Sequence, residues 1–110
     1  MAYVTLYDAT ALESIDISNP AALRSLEIVT LTAPACHPEP VAVSGNVAYV
    51  GCFEEGEILR FGVIDPSHMQ PMTAISGIAS PQCMALAGGS LLVTDAASGG
   101  LLYTINLSEL

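Results

Sequence analysis

Hydrophobic residues along this chain come in short runs, separated by turns rich in glycine, proline, asparagine and aspartate. Within several runs apolar and polar residues alternate, as in residues 25–31 (SLEIVTL), and such alternation is typical of β-strands. No stretch keeps a helical period for ten residues. The pattern predicts strands over residues 2–7, 11–18, 24–31, 40–44, 47–53, 57–64, 71–77, 83–87, 91–95 and 101–107. We therefore expect an all-β protein.

The sequence also repeats. Residues 38–50 (PEPVAVSGNVAYV) align without a gap on residues 81–93 (PQCMALAGGSLLV), 43 positions later. Ala2-Tyr3-Val4 recurs as Ala48-Tyr49-Val50, 46 positions later. In both long segments a glycine, Gly45 or Gly88, lies between two apolar runs, which predicts a tight hairpin with positive φ at that residue.

Several runs are apolar at consecutive positions, which indicates strands covered on both faces of their sheet. A repeat of about 43 residues with four short strands that stack on both faces is typical of a β-propeller blade. With the strands of a blade lettered a to d from the axis outward, the chain divides into a partial blade b-c-d (1–31), a full blade a-b-c-d (38–77) and a partial blade a-b-c (81–107). The whole of residues 1–110 is then one repeat unit, a partial propeller arc. A small β-sandwich is the alternative architecture.

Two phrases, VAVSGNVAYV at 41–50 and VIDPS at 63–67, resemble the LVIVD-repeat family, whose units contain a similar hairpin followed by a "VID…DP" element. Residues 14–20 (SIDISNP) resemble the second element again. The resemblance implies a β-propeller of uncharacterised role, often exported, with structural motif residues and no catalytic residues to carry over. Because closed propellers have four to eight blades, we expect the chain to be a fragment of a longer protein, a self-assembling arc or a divergent open stack.

The net charge of the chain limits the classes of partner that it is expected to bind. Two basic residues against eleven acidic ones give a net charge of -9, which disfavours binding to nucleic acid or to anionic lipid. The longest mostly apolar stretch, residues 41–53, is interrupted and too short to cross a bilayer, so no membrane insertion is expected. No signal peptide is evident. The default expectation is a cytoplasmic location, with export as the alternative if the chain is a piece of a longer family member.

In propeller wiring the d–a and b–c loops share one rim, and this rim collects most of the candidate ligand residues. They are Asp8, Cys36, His37, Glu54, Glu55, Glu57 and Asp95. Carboxylates beside an imidazole could hold a divalent cation, with zinc favouring the Cys36 and His37 pair. The alternative is that these are solvated turn residues that keep the rim soluble, and no cofactor is then expected.

Two further sets of reactive residues are interpreted as structural. Asp65, Ser67 and His68 are triad components by type, but neighbours in one turn cannot form a triad, so His68 is expected to be a loop residue. The three cysteines are expected to be reduced, with Cys36 exposed and reactive and with Cys52 and Cys83 buried among apolar neighbours.

The function expected from these observations is a non-catalytic interaction or scaffold module, for a protein partner, that is completed by self-association or by the remaining blades of a longer chain. An alternative is a metal- or small-ligand-binding propeller whose acidic rim could support hydrolysis. A third hypothesis is a purely structural segment without a function of its own.

Overall fold

The computed structural model of the chain describes residues 1–31, 35–97 and 99–110. Ten β-strands and one 3-10 turn account for its regular structure. In chain order they are β1 (Ala2–Leu6), β2 (Ala11–Asp16), β3 (Arg24–Thr30), β4 (Pro38–Ser44), β5 (Val47–Cys52), β6 (Glu57–Gly62), β7 (Gln70–Ser76), β8 (Pro81–Ala87), β9 (Ser90–Asp95), β10 (Leu101–Asn106) and the 3-10 turn Leu107–Glu109. The predicted all-β class is confirmed, and the part of the chain described contains no helix long and apolar enough to cross a membrane.

The observed strands match the predicted ones with shifts at their ends. No end shifts by more than two residues: β2 and β6 end two residues earlier than predicted, and β4 and β8 begin two residues earlier, each on a proline. Pro38 is the register partner of Cys52, and Pro81 is the partner of Asp95. A proline is tolerated at the first position of a strand, where no ladder hydrogen bond from its nitrogen is needed.

The strands form three antiparallel meanders that follow one another along the chain. Sheet 1 has the order β1-β2-β3, sheet 2 the order β4-β5-β6-β7, and sheet 3 the order β8-β9-β10. Sheet 2 therefore has four strands and its neighbours have three each. The three sheets stack in chain order, with sheet 2 in the middle, so the fold is not the two-layered sandwich considered as the alternative.

Sheets 2 and 3 repeat each other in their backbone hydrogen bonds. Phe53 N donates to His37 O at 3.1 Å, and Ala96 N donates to Ser80 O at 2.9 Å, so both partners have moved by 43 positions. The hairpins repeat as well, because Gly45 has φ +58° and Gly88 has φ +60°. The predicted positive φ at both glycines is confirmed, and the similarity of residues 38–50 and 81–93 corresponds to one backbone geometry used twice.

The two inner strands of sheet 2, β5 and β6, are buried on both faces, which explains their consecutive apolar residues. From β5, Ala48, Val50 and Cys52 point into core 1, the apolar cluster between sheets 1 and 2. Tyr49, between them, points into core 2, the cluster between sheets 2 and 3. Core 1 also contains Leu12, Leu31, Cys36, Leu59, Phe61, Val63 and Met69, and core 2 contains Ile58, Ile78, Leu91 and Val93.

Polar side chains join the sheets at their margins. Ser14, fully buried in β2, donates from Oγ to the carbonyl of Pro66 at 2.6 Å, and Thr5 in β1 donates to the carbonyl of Glu39 at 2.8 Å. Ser80 Oγ donates to the carbonyl of Phe53 at 3.0 Å and so connects sheet 3 to sheet 2. Each interface thus combines apolar packing with hydrogen bonds that define how the sheets align.

Strands β4 and β8 approach closely at Gly51. A Cβ at this position would lie 2.5 Å from Cγ of Pro40 and 3.1 Å from Cβ of Pro81. The contact with Pro40 is shorter than carbon atoms tolerate, the contact with Pro81 is tight, and proline rings have little freedom to move away. The packing of the first strand of sheet 3 on the first strand of sheet 2 therefore requires glycine here.

Candidate functional site

The rim cluster is a group of polar side chains in mutual contact, formed by Tyr7, His37, Glu54 and Glu55. Tyr7 comes from the turn between β1 and β2, His37 from the loop before β4, and the two glutamates from the turn between β5 and β6. Loops of two different sheets thus meet in one place. The predicted proximity of His37, Glu54 and Glu55 is observed in the structure.

His37 is the centre of the cluster. Its backbone N–H donates to Glu55 Oε1 at 2.7 Å, and its ring Nδ1 lies 2.6 Å from Glu55 Oε2 and 3.3 Å from Glu54 Oε2. Tyr7 donates its hydroxyl to Glu54 Oε1 at 2.6 Å, and its ring centroid lies 5.4 Å from that of His37. One imidazole nitrogen therefore faces two carboxylates, one of which is also bound by a phenol.

These contacts shift the pKa of His37, Glu55 and Tyr7 in the direction expected for hydrogen-bonded charges. The hydrogen bond to Glu55 raises the pKa of His37, aided by the charges of Glu55, Glu54 and Asp8 and opposed by partial burial. Burial works to raise the pKa of Glu55, but the hydrogen bonds from His37 outweigh it and the pKa falls below its ordinary value. The hydrogen bond to Glu54 is the main cause that raises the pKa of Tyr7 to about 12.

A disulfide bond lies directly beneath the cluster and corrects the expectation for the cysteines. Cys36 and Cys52 are bonded, with their Cα atoms 4.9 Å apart, and both are fully buried. The prediction that Cys36 is exposed and reactive is wrong because Cys36 is bonded to Cys52 at the end of β5, and its N–H donates to the carbonyl of Leu31, the residue after β3. Since His37 follows Cys36 and Glu54 comes two residues after Cys52, the bond ties together the two segments that carry the cluster.

The remaining thiol, Cys83, was predicted to be buried and is exposed. It lies on the side of sheet 3 that faces away from sheet 2, where the described residues supply no covering sheet. Cys52 is buried as predicted, although through a disulfide and not as a free thiol.

Three of the predicted rim residues are not part of the cluster. Asp95 is buried and accepts hydrogen bonds from the backbone N–H groups of Ser80 (3.0 Å) and Ala97 (2.9 Å), so it fixes the loop before β8. Glu57 begins β6 as the register partner of Cys52. Asp8 is exposed in the β1–β2 turn and acts on His37 through its charge alone.

Asp95 has a counterpart in the cluster. Its carboxylate binds the backbone N–H of Ser80 in sheet 3 as Glu55 binds that of His37 in sheet 2, and Ser80 follows His37 by 43 positions. Part of the role of Glu55 is therefore structural and common to both sheets. The imidazole and the second carboxylate are what distinguish the rim of sheet 2.

The cluster has the donor set of a transition-metal site. One ligand atom each from His37, Glu54 and Glu55 lie within 4.8 Å of one another. An imidazole nitrogen with carboxylate oxygens suits zinc and similar divalent ions. Cys36 is removed from the candidate ligands by its disulfide bond.

Tyr7 was not identified from the sequence as a rim residue, although a signal for it exists. The 46-residue echo that relates Tyr3 to Tyr49 also relates Tyr7-Asp8 to Phe53-Glu54. Extending the echo by four residues places Tyr7 at the turn that carries Glu54 in the next sheet.

On the opposite rim His68 is a loop residue, as expected. Asp65 accepts from the backbone N–H of Ser67 at 2.9 Å, and its Oδ2 lies 3.0 Å from His68 Nδ1. Both bonds lower the pKa of Asp65, and the hydrogen bond from Ser67 has the larger effect. The three residues form a local turn and no nucleophile–base pair.

Compared with models of protein families and with curated proteins, the chain gives no match.

Proposed function

We propose that this chain is a non-catalytic interaction and scaffold module, a segment of a β-propeller of the LVIVD-repeat kind whose outer sheets bind further sheets. The stacking of successive meanders and the 43-residue recurrence of hydrogen bonds support this proposal. Propellers are built by such radial repetition of four-stranded sheets.

The observation that carries the proposal is the difference in exposure between repeat-related residues. Ile58 pairs with Gly51 in sheet 2, and Leu102 pairs with Thr94 in sheet 3, 43 positions after Gly51. Ile58 packs in core 2 and is 0% exposed, whereas Leu102 is 65% exposed. Leu102 thus has an apolar side chain at a position that sheet 2 uses to bind the next sheet.

Leu102 belongs to the C-terminal open face, the side of sheet 3 turned away from sheet 2. Register partners place Cys83, Thr94 and Leu102 in one row across this face, and Ala85, Leu92 and Thr104 in the next. The face has no charged residue among these positions. The chain has a net charge of -9, and yet this face is apolar. An apolar face on an otherwise acidic protein is more typical of an interaction surface than of a solvated one.

Sheet 1 has a corresponding N-terminal open face, the side turned away from sheet 2. Val4 is 37% exposed there, while Val50, its counterpart in the 46-residue echo, is 0% exposed in core 1. Ile28 lies in the same row, since Val4 and Ile28 are both register partners of Glu13. The two open faces therefore correspond to the two sides of an internal interface, and further sheets from a second copy or from a longer chain would cover them.

An uncharged dye that binds apolar surface tests the proposal, because it is not repelled by the acidic protein. On dilution, associated copies should separate and expose their open faces, so we expect Nile red fluorescence with the native chain to increase. Leu102→Ser should reduce this fluorescence. Ile64→Ser, at an exposed apolar residue outside both faces, is the control and should leave the signal unchanged. A Leu102→Ser signal equal to that of the native chain at every concentration would contradict the proposal.

A second candidate function is divalent cation binding at the rim, favoured by the convergence of His37, Glu54 and Glu55. Metal analysis of protein purified without chelator, followed by zinc titration of the native chain and Glu54→Gln, tests it. Stoichiometric metal in the native chain that is lost in Glu54→Gln would favour this second function. An unchanged metal content in Glu54→Gln would assign the bound ion to another place.

A further inference from the structure

Strand β1 has an open edge and adjoins a groove. In sheet 1, β2 pairs with one side of β1, and no strand of the described residues pairs with the other. The groove is a cleft of about 550 Å³ next to β1 and β4, lined by Tyr3 from β1, by Val41 and Val43 from β4, and by Val63 and Pro66 from the loop after β6. The hairpin residues Gly45 and Asn46 close one end of it.

In the other two sheets the equivalent place is filled by a strand. The 46-residue echo relates β1 to β5, and β5 has β4 on the side where β1 is open, as β9 has β8. The first strand of sheet 3, β8, packs directly against β4. The groove lies where a first strand of sheet 1 would pair with β1 and pack against the other side of β4.

We propose that this groove binds an extended, uncharged peptide segment that pairs antiparallel with β1 and has the sequence pattern of β4 and β8. The inference rests on the proposed function, because it treats sheet 1 as a blade without its first strand. Strand addition to an open edge supplies affinity through backbone hydrogen bonds, while side-chain contacts on the groove side supply specificity.

The pattern required of the segment follows from β4 and β8. Both begin with proline, have alanine at the centre (Ala42 and Ala85) between larger apolar residues, and end before a glycine. Ala42 packs in core 2 beside Tyr49, the echo counterpart of Tyr3. A small residue is therefore required where the segment passes Tyr3, and a charged residue there would lose its hydration without a partner.

A fluorescently labelled synthetic peptide is the probe, with the sequence of residues 38–45 and with glutamine in place of Glu39, since β8 has Gln82 at this position and the peptide is then uncharged. We expect saturable binding to the native chain, together with slower hydrogen–deuterium exchange of backbone amides in β1. The same peptide with arginine in place of its Ala42 is the peptide control. It should bind at least about tenfold more weakly.

Repeat-related positions provide matched protein controls. Val43→Glu places a charge in the groove, and Leu86→Glu places one at the residue 43 positions later, which does not line it. We expect Val43→Glu to weaken peptide binding at least about tenfold and Leu86→Glu to leave it unchanged. Val43→Thr keeps the shape of the side chain and should weaken peptide binding less than Val43→Glu does. It is the variant to use if Val43→Glu does not fold.

The inference is overturned if the peptide does not bind saturably, if exchange slows at β10 in place of β1, or if Val43→Glu and Leu86→Glu weaken binding equally. None of these outcomes touches the proposed function, because Leu102 and the C-terminal open face lie outside the groove. If the peptide does not bind but Leu102→Ser still lowers the dye fluorescence, only the inference about the groove is wrong. Loss of both would remove the proposed function as well.

Discussion

At the scale of residues, the rim cluster makes stability depend on pH in a defined direction. Because the pKa of His37 is raised, its contribution is complete below the ordinary value of 6.5 and is lost as pH rises through the folded value. Because the pKa of Glu55 is lowered, its contribution is complete above the ordinary value of 4.5 and is lost as pH falls through the folded value. The interaction is therefore strongest between these two values.

We expect His37→Gln to lower the free energy of unfolding most between pH 4.5 and 6.5, and less at alkaline pH, measured by urea denaturation. In a Glu55→Gln background the pH dependence of the His37→Gln effect should shrink, since the main cause of the shift is gone. Equal effects of His37→Gln at pH 5.5 and at alkaline pH would contradict the assigned ion pair.

The cysteines give a second prediction at this scale. In the native chain a thiol reagent should modify Cys83 alone, and after reduction and unfolding it should modify all three residues, because Cys36 and Cys52 are fully buried in the folded chain. Reduction should also lower the free energy of unfolding by about 2–4 kcal/mol, the usual contribution of a disulfide that closes a loop of this length. Native labelling at Cys36 would show that the bond does not form in solution.

The disulfide bond also bears on location. Such bonds persist in oxidising compartments and are rare in the cytosol. Of the two locations expected from the sequence, the bond favours export over the cytoplasm.

At the scale of elements, the two repeat-related hairpins should respond alike to substitution. Gly45→Val and Gly88→Val should each lower the free energy of unfolding by about 1–2 kcal/mol, because both residues have left-handed φ and no neighbour that a side chain would meet. Gly89→Val is the matched control, with equally open surroundings and without a left-handed φ, and should cost less. Thermal melts that leave Gly45→Val and Gly88→Val indistinguishable from Gly89→Val would contradict the hairpin assignment.

Local patterns account for most of what the sequence predicted correctly. Alternation and turn residues are local signals, and the strands and the hairpins at Gly45 and Gly88 follow from them. The repeat added long-range information, since the propeller wiring that it indicates places His37, Glu54 and Glu55 on one rim.

The wrong predictions for Cys36, Cys83 and Asp95 concern tertiary contacts, which local sequence patterns do not predict. Cys36 lies between Pro34 and Pro38 in the sequence and looks exposed, but its disulfide bond to Cys52 at the end of β5 buries it. Cys83 has apolar neighbours and looks buried, but exposure depends on whether another sheet covers its face. Asp95 is acidic and close to a turn, but it turns inward to bind backbone N–H groups that would otherwise lack acceptors.

At the scale of the whole molecule, the two open faces predict association between copies. A further sheet on the C-terminal open face must present a surface like the N-terminal open face, because sheets 2 and 3 meet in this way within the chain. Copies should therefore join head to tail, and the midpoint of thermal unfolding should rise with protein concentration. A midpoint independent of concentration would indicate that the faces do not bind copies of the chain.

Sedimentation velocity of two variants and their mixture tests this account most directly. Leu102→Arg blocks the C-terminal open face and Val4→Arg blocks the N-terminal one, so each variant alone should be monomeric while the native chain associates. An equimolar mixture should regain association, because each variant keeps the face that the other has lost. Association of Val4→Arg alone, or a mixture that stays monomeric, would contradict head-to-tail stacking, and a native chain that is monomeric at high micromolar concentration would contradict association through the open faces altogether.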